Sequence, residues 1–230
     1  CLYLAHECPH YPYQGPADPA YRSPGHPEPI KGPRQDSAAA YREMMEHMDA
    51  GVGRIREVVR EEGLERDTLI VFFSDNGPDG PGSAGPLRGG KGSLWEGGHR
   101  VPAAACWPGS IPAGGVVDAT CMGMDLLPTM LALAGVSCPS GLQLDGVDLS
   151  PVLRGTGELP GRRLFWRHAG TRAVRDGDWK LHLDRDDVAT LYHLASDRGE
   201  LRDRSADHPA LVAELRAALR AWEADVDRSG

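Results

Sequence analysis

The feature that most constrains this chain is the run Thr68-Leu69-Ile70-Val71-Phe72-Phe73-Ser74, which leads directly into Asp75-Asn76-Gly77. A β-branched and aromatic run of strand length, without polar alternation, predicts a strand covered on both faces, as in the middle of a parallel sheet. Upstream, Tyr41, Met44, Met48, Val52, Ile55 and Val59 recur at three and four between Ser37 and about Glu62, and Gly63 follows. That spacing predicts an amphipathic helix with one face on a core and a glycine stop. Helix then buried strand is half of a βαβ layer, so the class is α/β. Ligands in such sheets bind beyond the carboxyl ends of strands, where Asp75 and Asn76 stand.

Between Gly77 and Gly98 lie nine glycines and three prolines, a composition that predicts a shaped loop. Val101 to Trp107 then reads as a short strand, and Asp125 as the cap of a helix through Leu126, Leu127, Met130, Leu131 and Leu133, ended by Gly135. After Leu153 the pattern changes. Leu164-Phe-Trp-Arg, Thr171-Arg-Ala-Val, Trp179-Lys-Leu-His-Leu and Thr190-Leu-Tyr-His-Leu are short strands between Gly/Asp turns, as in an antiparallel sheet. A closing helix carries Leu211, Leu215, Leu219, Trp222 and Val226 on one face. The division expected is residues 1–154 as an α/β part and 155–230 as a small α+β subdomain. The first 35 residues read as ordered loop, apart from Leu2 to Ala5, which fit the end of a buried strand.

With 230 residues, 40% of them apolar, the chain has material for a real core. A net charge of -8 with no Lys/Arg cluster argues against a nucleic-acid or anionic-membrane partner. No run of 18 apolar residues predicts a membrane span. The chain opens on Cys1 without Met or a basic leader, so its natural start is expected upstream. Cys1, Cys8, Cys106, Cys121 and Cys138 show no metal spacing and read mainly as buried thiols.

Three constellations carry chemistry. Asp75 and Asn76 offer adjacent hard oxygens that suit Ca²⁺ or Mg²⁺, although Asp-Asn-Gly is equally an ordinary turn. Lys91 sits among Gly89, Gly90 and Gly92, where it is either an anion ligand or a solvated surface lysine. The order of a nucleotide P-loop is missing there. In His6-Glu7-Cys8-Pro9-His10-Tyr11-Pro12, zinc held by His6, Cys8 and His10 would have no fourth ligand of telling spacing. One histidine aimed at a substrate oxygen is the better active reading, beside that of plain surface histidines.

In their order along nearly the whole chain, these segments resemble the sulfatase family, specifically its arylsulfatase A-like and N-acetylgalactosamine-6-sulfatase-like members. The matching segments begin with His10-Tyr11-Pro12, Asp49-Ala-Gly-Val-Gly53, Phe73-Ser-Asp-Asn-Gly-Pro78 and Arg88-Gly-Gly-Lys-Gly92. Trp95-Glu-Gly-Gly-His-Arg-Val-Pro102, Trp107-Pro-Gly109, Met124-Asp-Leu-Leu-Pro-Thr129, Asp145-Gly-Val-Asp-Leu149 and Leu191-Tyr-His-Leu194 follow. The resemblance implies an alkaline-phosphatase-like fold: a mixed α/β sheet with helices on both faces, incomplete here at the N-terminus, plus a C-terminal antiparallel sheet and helix. It implies hydrolysis of sulfate esters, with carbohydrate sulfates favoured, by a formylglycine made from Cys or Ser and a calcium ion that stabilises charge on the transferring group. Asp75 and Asn76 then match metal ligands, Lys91 the lysine on the sulfate and bridging oxygen, and His10 the histidine near that oxygen, a candidate general acid. Arg88 and Arg100 are expected in structural ion pairs, with Trp95 and Glu96 supporting the loop. A periplasmic or secreted location is favoured by the same resemblance.

One part of the pattern is missing. The nucleophile motif, Cys or Ser, any residue, Pro or Ala, any residue, Arg, occurs nowhere in the 230 residues; Cys106-Trp-Pro-Gly-Ser110 comes nearest and ends in serine. Half an active site is therefore expected, inactive alone, with the early aspartates of the calcium site upstream of Cys1. The alternatives are a phosphonate or phosphate monoester hydrolase of the same superfamily and a non-catalytic anion-binding remnant.

Overall fold

The computed structural model describes residues 1–18 and 35–229. They form two compact units: Cys1–Thr68 with Pro78–Ser83, and Leu69–Gly77 with Ala84–Gly230.

The first unit is built on helix α1 (Ser37–Glu61). The Asp36 carboxylate accepts the Ala39 amide at 3.0 Å and caps it, and Gly63, at φ +70°, ends it. The expected face is the one that packs: Tyr41, Met44, Met48, Val52, Ile55 and Val59 are half-buried. That face anchors the segment around His10. The Cys8 thiol donates to the Met44 carbonyl at 3.0 Å, the Gln14 amide meets the Met44 sulfur at 3.3 Å, and Tyr41 and Tyr13 lie edge to face at 5.8 Å. Leu2 to Ala5 are not a strand. Leu2 and Tyr3 are 83% and 81% exposed, because no described strand of this unit offers them a ladder to join.

In the second unit, strand β1 (Ile70–Phe73), short helix α2 (Glu96–His99) and strand β2 (Ala103–Cys106) come first. β1 pairs antiparallel with β2, Ile70 opposite Cys106 and Phe73 opposite Ala103. This corrects the expected parallel strand covered on both faces: Ile70 and Phe72 are half-buried, whereas Val71 and Phe73 are 39% and 37% exposed. The apolar run encodes two coverable faces, and the unit half-covers one of them.

Helix α3 (Leu126–Leu133) follows as expected, but Asp125 does not cap it. Asp125 is fully buried, accepts the Met122 and Val147 amides at 2.7 and 3.0 Å, and takes both guanidinium nitrogens of Arg162 at 2.5 Å. Burial pushes its pKa up, yet the Arg162 hydrogen bonds and the two amides hold it below the usual carboxylate value. Thr129 continues the junction: its hydroxyl donates to the Asp125 carbonyl at 2.6 Å and accepts the Leu149 amide at 2.8 Å. Thus the two motifs Met124 to Thr129 and Asp145 to Leu149 are one hydrogen-bonded knot, followed by helix α4 (Ser150–Leu153).

Strands β3 (Arg163–His168), β4 (Thr171–Asp176), β5 (Trp179–Leu183) and β6 (Ala189–His193) form an antiparallel sheet in that order. Helix α5 (Pro209–Ser229) lies on β4 and β5. Val174, Leu181, Leu183, Leu191, Leu215 and Leu219 are the core, flanked by Phe165 and Trp222 with rings stacked at 5.3 Å. The cysteines depart from expectation, since Cys1, Cys121 and Cys138 are exposed and none is in a disulfide.

Candidate functional site

At the carboxyl end of β1 the chain turns through Ser74, whose hydroxyl donates to the Asn76 carbonyl at 2.9 Å and whose amide donates to the Pro102 carbonyl at 3.2 Å. Asp75 is exposed and Asn76 half-buried. The turn is seated by Gly77, whose amide donates to the Gly98 carbonyl at 2.8 Å; a Cβ on Gly77 would lie 1.8 Å from the Gly97 oxygen. Only glycine allows that approach. Gly97 in turn donates to the Arg88 carbonyl at 2.7 Å, and a Cβ on Gly98 would meet the Ser93 oxygen at 2.1 Å. Lys91, exposed, stands in the turn Gly90 to Ser93, where the Ser93 amide and hydroxyl donate to the Gly90 carbonyl at 3.1 and 2.8 Å. The Asp75-Asn76 turn and the Lys91 loop are therefore braced on each other through backbone, with α2 between them.

The face of this loop away from the turn rests on the C-terminal sheet. On β5, Leu181 and Leu183 face the core under α5, while Lys180 and His182, alternating with them, face the loop. Lys180 is fully buried, its ammonium 2.9 Å from Glu96 Oε1, 2.9 Å from Glu200 Oε1 and 3.1 Å from His99 Nε2. The other Glu200 oxygen accepts the Glu96 amide at 2.7 Å. Aromatic stacks flank the ions: Trp95 on His182 at 4.0 Å, His99 on Trp166 at 4.5 Å, and the Arg88 guanidinium over Trp95 at 3.7 Å.

Burial opposes the charge of Glu96, but Lys180, His99 and Arg175 bring its pKa below the ordinary value. For Glu200 burial wins and the pKa is raised, although Lys180 and the Glu96 amide pull the other way. Burial first, then the neighbouring ammonium, lowers His99 and His182 to about 4, so both are neutral imidazoles at pH 7.

His10 belongs to the first unit, where it is exposed, with Nδ1 2.7 Å from the Tyr11 carbonyl. A carbonyl only accepts, so Nδ1 carries the proton. Arg100 makes the structural ion pair expected, 3.5 Å from Glu96 Oε2, whereas the contact of Arg88 is a hydrogen bond to the Glu200 backbone carbonyl at 3.0 Å. Lys180, His182, Glu200 and Arg162 were not singled out by sequence. Lys180 and His182 had one local signal, two polar residues alternating with leucines in Trp179-Lys-Leu-His-Leu, which ordinarily marks a wet face.

Among the described residues no group of three or more His, Cys, Asp or Glu is arranged to hold a metal. Asp75 and Asn76 supply two hard oxygens, which fits part of a calcium set of six to eight, about a quarter to a third of it.

A carboxylate, an amide and an ammonium thus stand on mutually braced loops beyond the carboxyl end of β1. Residues 1–136 match the sulfatase family model, and the chain belongs to the sulfatase family. It is 44% identical to arylsulfatase A of Bos taurus over 194 residues, which is 79% of this chain and 35% of that protein. Against N-acetylgalactosamine-6-sulfatase of Canis lupus familiaris it is 39% identical over 150 residues, 62% of this chain and 28% of the relative. The chain thus spans about a third of the length of these curated relatives, 35% and 28%. Among solved structures, Ps i-CgsB superposes with a TM-score of 0.81 at 30% identity, over 96% of this chain and 49% of that one. The PsFucS1 sulfatase from Pseudoalteromonas sp. gives 0.70 at 27% identity, over 86% and 46%. The fold is accordingly the expected alkaline-phosphatase-like α/β fold, present in part, with its C-terminal antiparallel sheet and helix.

Proposed function

We propose that this chain is the C-terminal portion of a sulfuric ester hydrolase, with residues 1–154 from its catalytic α/β domain and 155–230 its small C-terminal subdomain. The observation that carries the reading is the Gly77 to Gly98 contact at 2.8 Å, which holds the Asp75-Asn76 turn and the Lys91 loop together in a chain of the sulfatase family. Asp75 and Asn76 would hold Ca²⁺, or Mg²⁺, through oxygen. Bound there, the ion would offset negative charge on the sulfate.

Lys91 adds a point charge on its exposed loop and stabilises the oxygen of the departing alcohol. By the family resemblance His10 is the general acid: its imidazolium gives up the Nε2 proton to the departing alcohol and is left neutral, with the Nδ1 proton hydrogen-bonded to the Tyr11 carbonyl. The formylglycine nucleophile has no precursor motif in these residues, so the chain alone performs no covalent step. A sulfated carbohydrate is the substrate class supported, since Ps i-CgsB, 30% identical, has been solved in complex with k-i-k-neocarrahexaose. Export to the periplasm or cell exterior is part of the same reading; among the described residues no helix is long and apolar enough to cross a membrane.

Calorimetric titration of the purified chain with Ca²⁺ and with sulfate tests this. Uptake is expected for both, with Ca²⁺ lost in Asp75→Ala and sulfate in Lys91→Ala. Binding of neither would leave a scaffold without a site. The same protein is expected to release no sulfate from an aryl sulfate, and measurable turnover would overturn the missing-nucleophile reading.

A further inference from the structure

We propose that Lys180, with Glu96 and Glu200, is a positioning group for the anion site, so that the C-terminal sheet sets the geometry of the Lys91 loop. Which anion is bound rests on the reading above; the ordering of the loop does not. The path is short and made of close contacts. Lys180 bonds Glu96 at 2.9 Å, Glu96 precedes Gly97 and Gly98, Gly77 seats Asp75-Asn76 on Gly98 at 2.8 Å, and Gly97 ties back to Arg88 three residues before Lys91 at 2.7 Å. Glu200 closes the ring by accepting the Glu96 amide at 2.7 Å while lying 2.9 Å from the ammonium.

Stability alone does not require this arrangement. A buried ion pair can be replaced by apolar groups of the same volume at little cost, and Trp95 on His182 with Trp166 on His99 already attach loop to sheet. What the ions add is direction. Stacked rings slide over one another, whereas an ammonium shared by two carboxylates and an imidazole fixes the rotation of α2, and with it the two turns that α2 supports. The loop composition, glycine at 89, 90, 92, 97 and 98, supplies little stiffness of its own.

The test is hydrogen exchange together with sulfate titration on the 230-residue chain. Lys180→Met alone strands the buried Glu96 and Glu200 carboxylates and can unfold the protein, so the informative variant is the neutral triple E96Q/K180M/E200Q, with Glu200→Gln as a milder second. In the triple variant, amides of Gly77 and residues 88–98 are expected to exchange about tenfold faster or more, those of β3 to β6 at unchanged rates, and sulfate affinity is expected to fall about 10- to 100-fold. Glu200→Gln, which keeps an acceptor for the Glu96 amide, should move both readouts less in the same direction. Unchanged loop exchange, or faster exchange spread through the sheet, would overturn the proposal, as would a loosened loop that binds sulfate as before. Absence of sulfate binding in the wild type would instead sink the anion reading, and the exchange data would still decide the role of Lys180.

Discussion

Acidification from pH 6.5 to 4 should weaken the second unit through His99 and His182. Both imidazoles sit at about 4 in the fold against an ordinary 6.5, and both are well covered, His182 at 5% exposure and the His99 side chain at 19%. The unfolded chain therefore binds more protons between pH 6.5 and 4. For that reason stability is complete above 6.5, falls as pH drops through the window, and levels off below the folded value. Integrating the shift gives a loss of about 2 kcal/mol per histidine at pH 5 and about 3 kcal/mol at pH 4, relative to pH 7.

Glu200 acts the other way, because its raised pKa lets the folded form take up a proton early and recover part of the loss. Asp125 and Glu96 lie below their ordinary 3.8 and 4.5, so the stability they contribute is lost only as pH falls through still lower values. Urea unfolding of the chain from pH 7 to 4, followed by tryptophan fluorescence, measures the slope; His182→Gln should remove about half of it. A flat free energy between pH 6.5 and 4, or imidazole proton shifts titrating near 6.5, would refute the argument that these rings are held neutral by burial and Lys180.

Three further perturbations have defined outcomes. Gly77→Ala forces a Cβ to within 1.8 Å of the Gly97 oxygen and should cost about 2 kcal/mol or more in urea unfolding, with loss of Ca²⁺ uptake. Gly53→Ala, in α1 with nothing within 4 Å, should instead stabilise by about 0.5–1 kcal/mol. Arg162→Met leaves the fully buried Asp125 without its cation and should cost about 3–5 kcal/mol, whereas a loss under about 1 kcal/mol would mean that the Met122 and Val147 amides suffice.

Local order was legible wherever one segment carries its own signal. The three-and-four spacing from Tyr41 to Val59 and the Gly63 stop predicted α1 to within a residue of its end, and short runs between Gly/Asp turns predicted β3 to β6 as an antiparallel sheet. Ordered motifs disclosed the sulfatase family and singled out Asp75, Asn76, Lys91 and His10, because a family pattern survives in linear sequence. Contacts between distant segments were not legible. Asp125 looked like a helix cap, and its pairing with Arg162, 37 residues away, appears only once the chain has folded. Lys180 was not singled out at all, yet it is fully buried against Glu96 and Glu200. Alternation along a strand records that two faces differ, and only tertiary packing decides that the polar one meets a second set of charges rather than water.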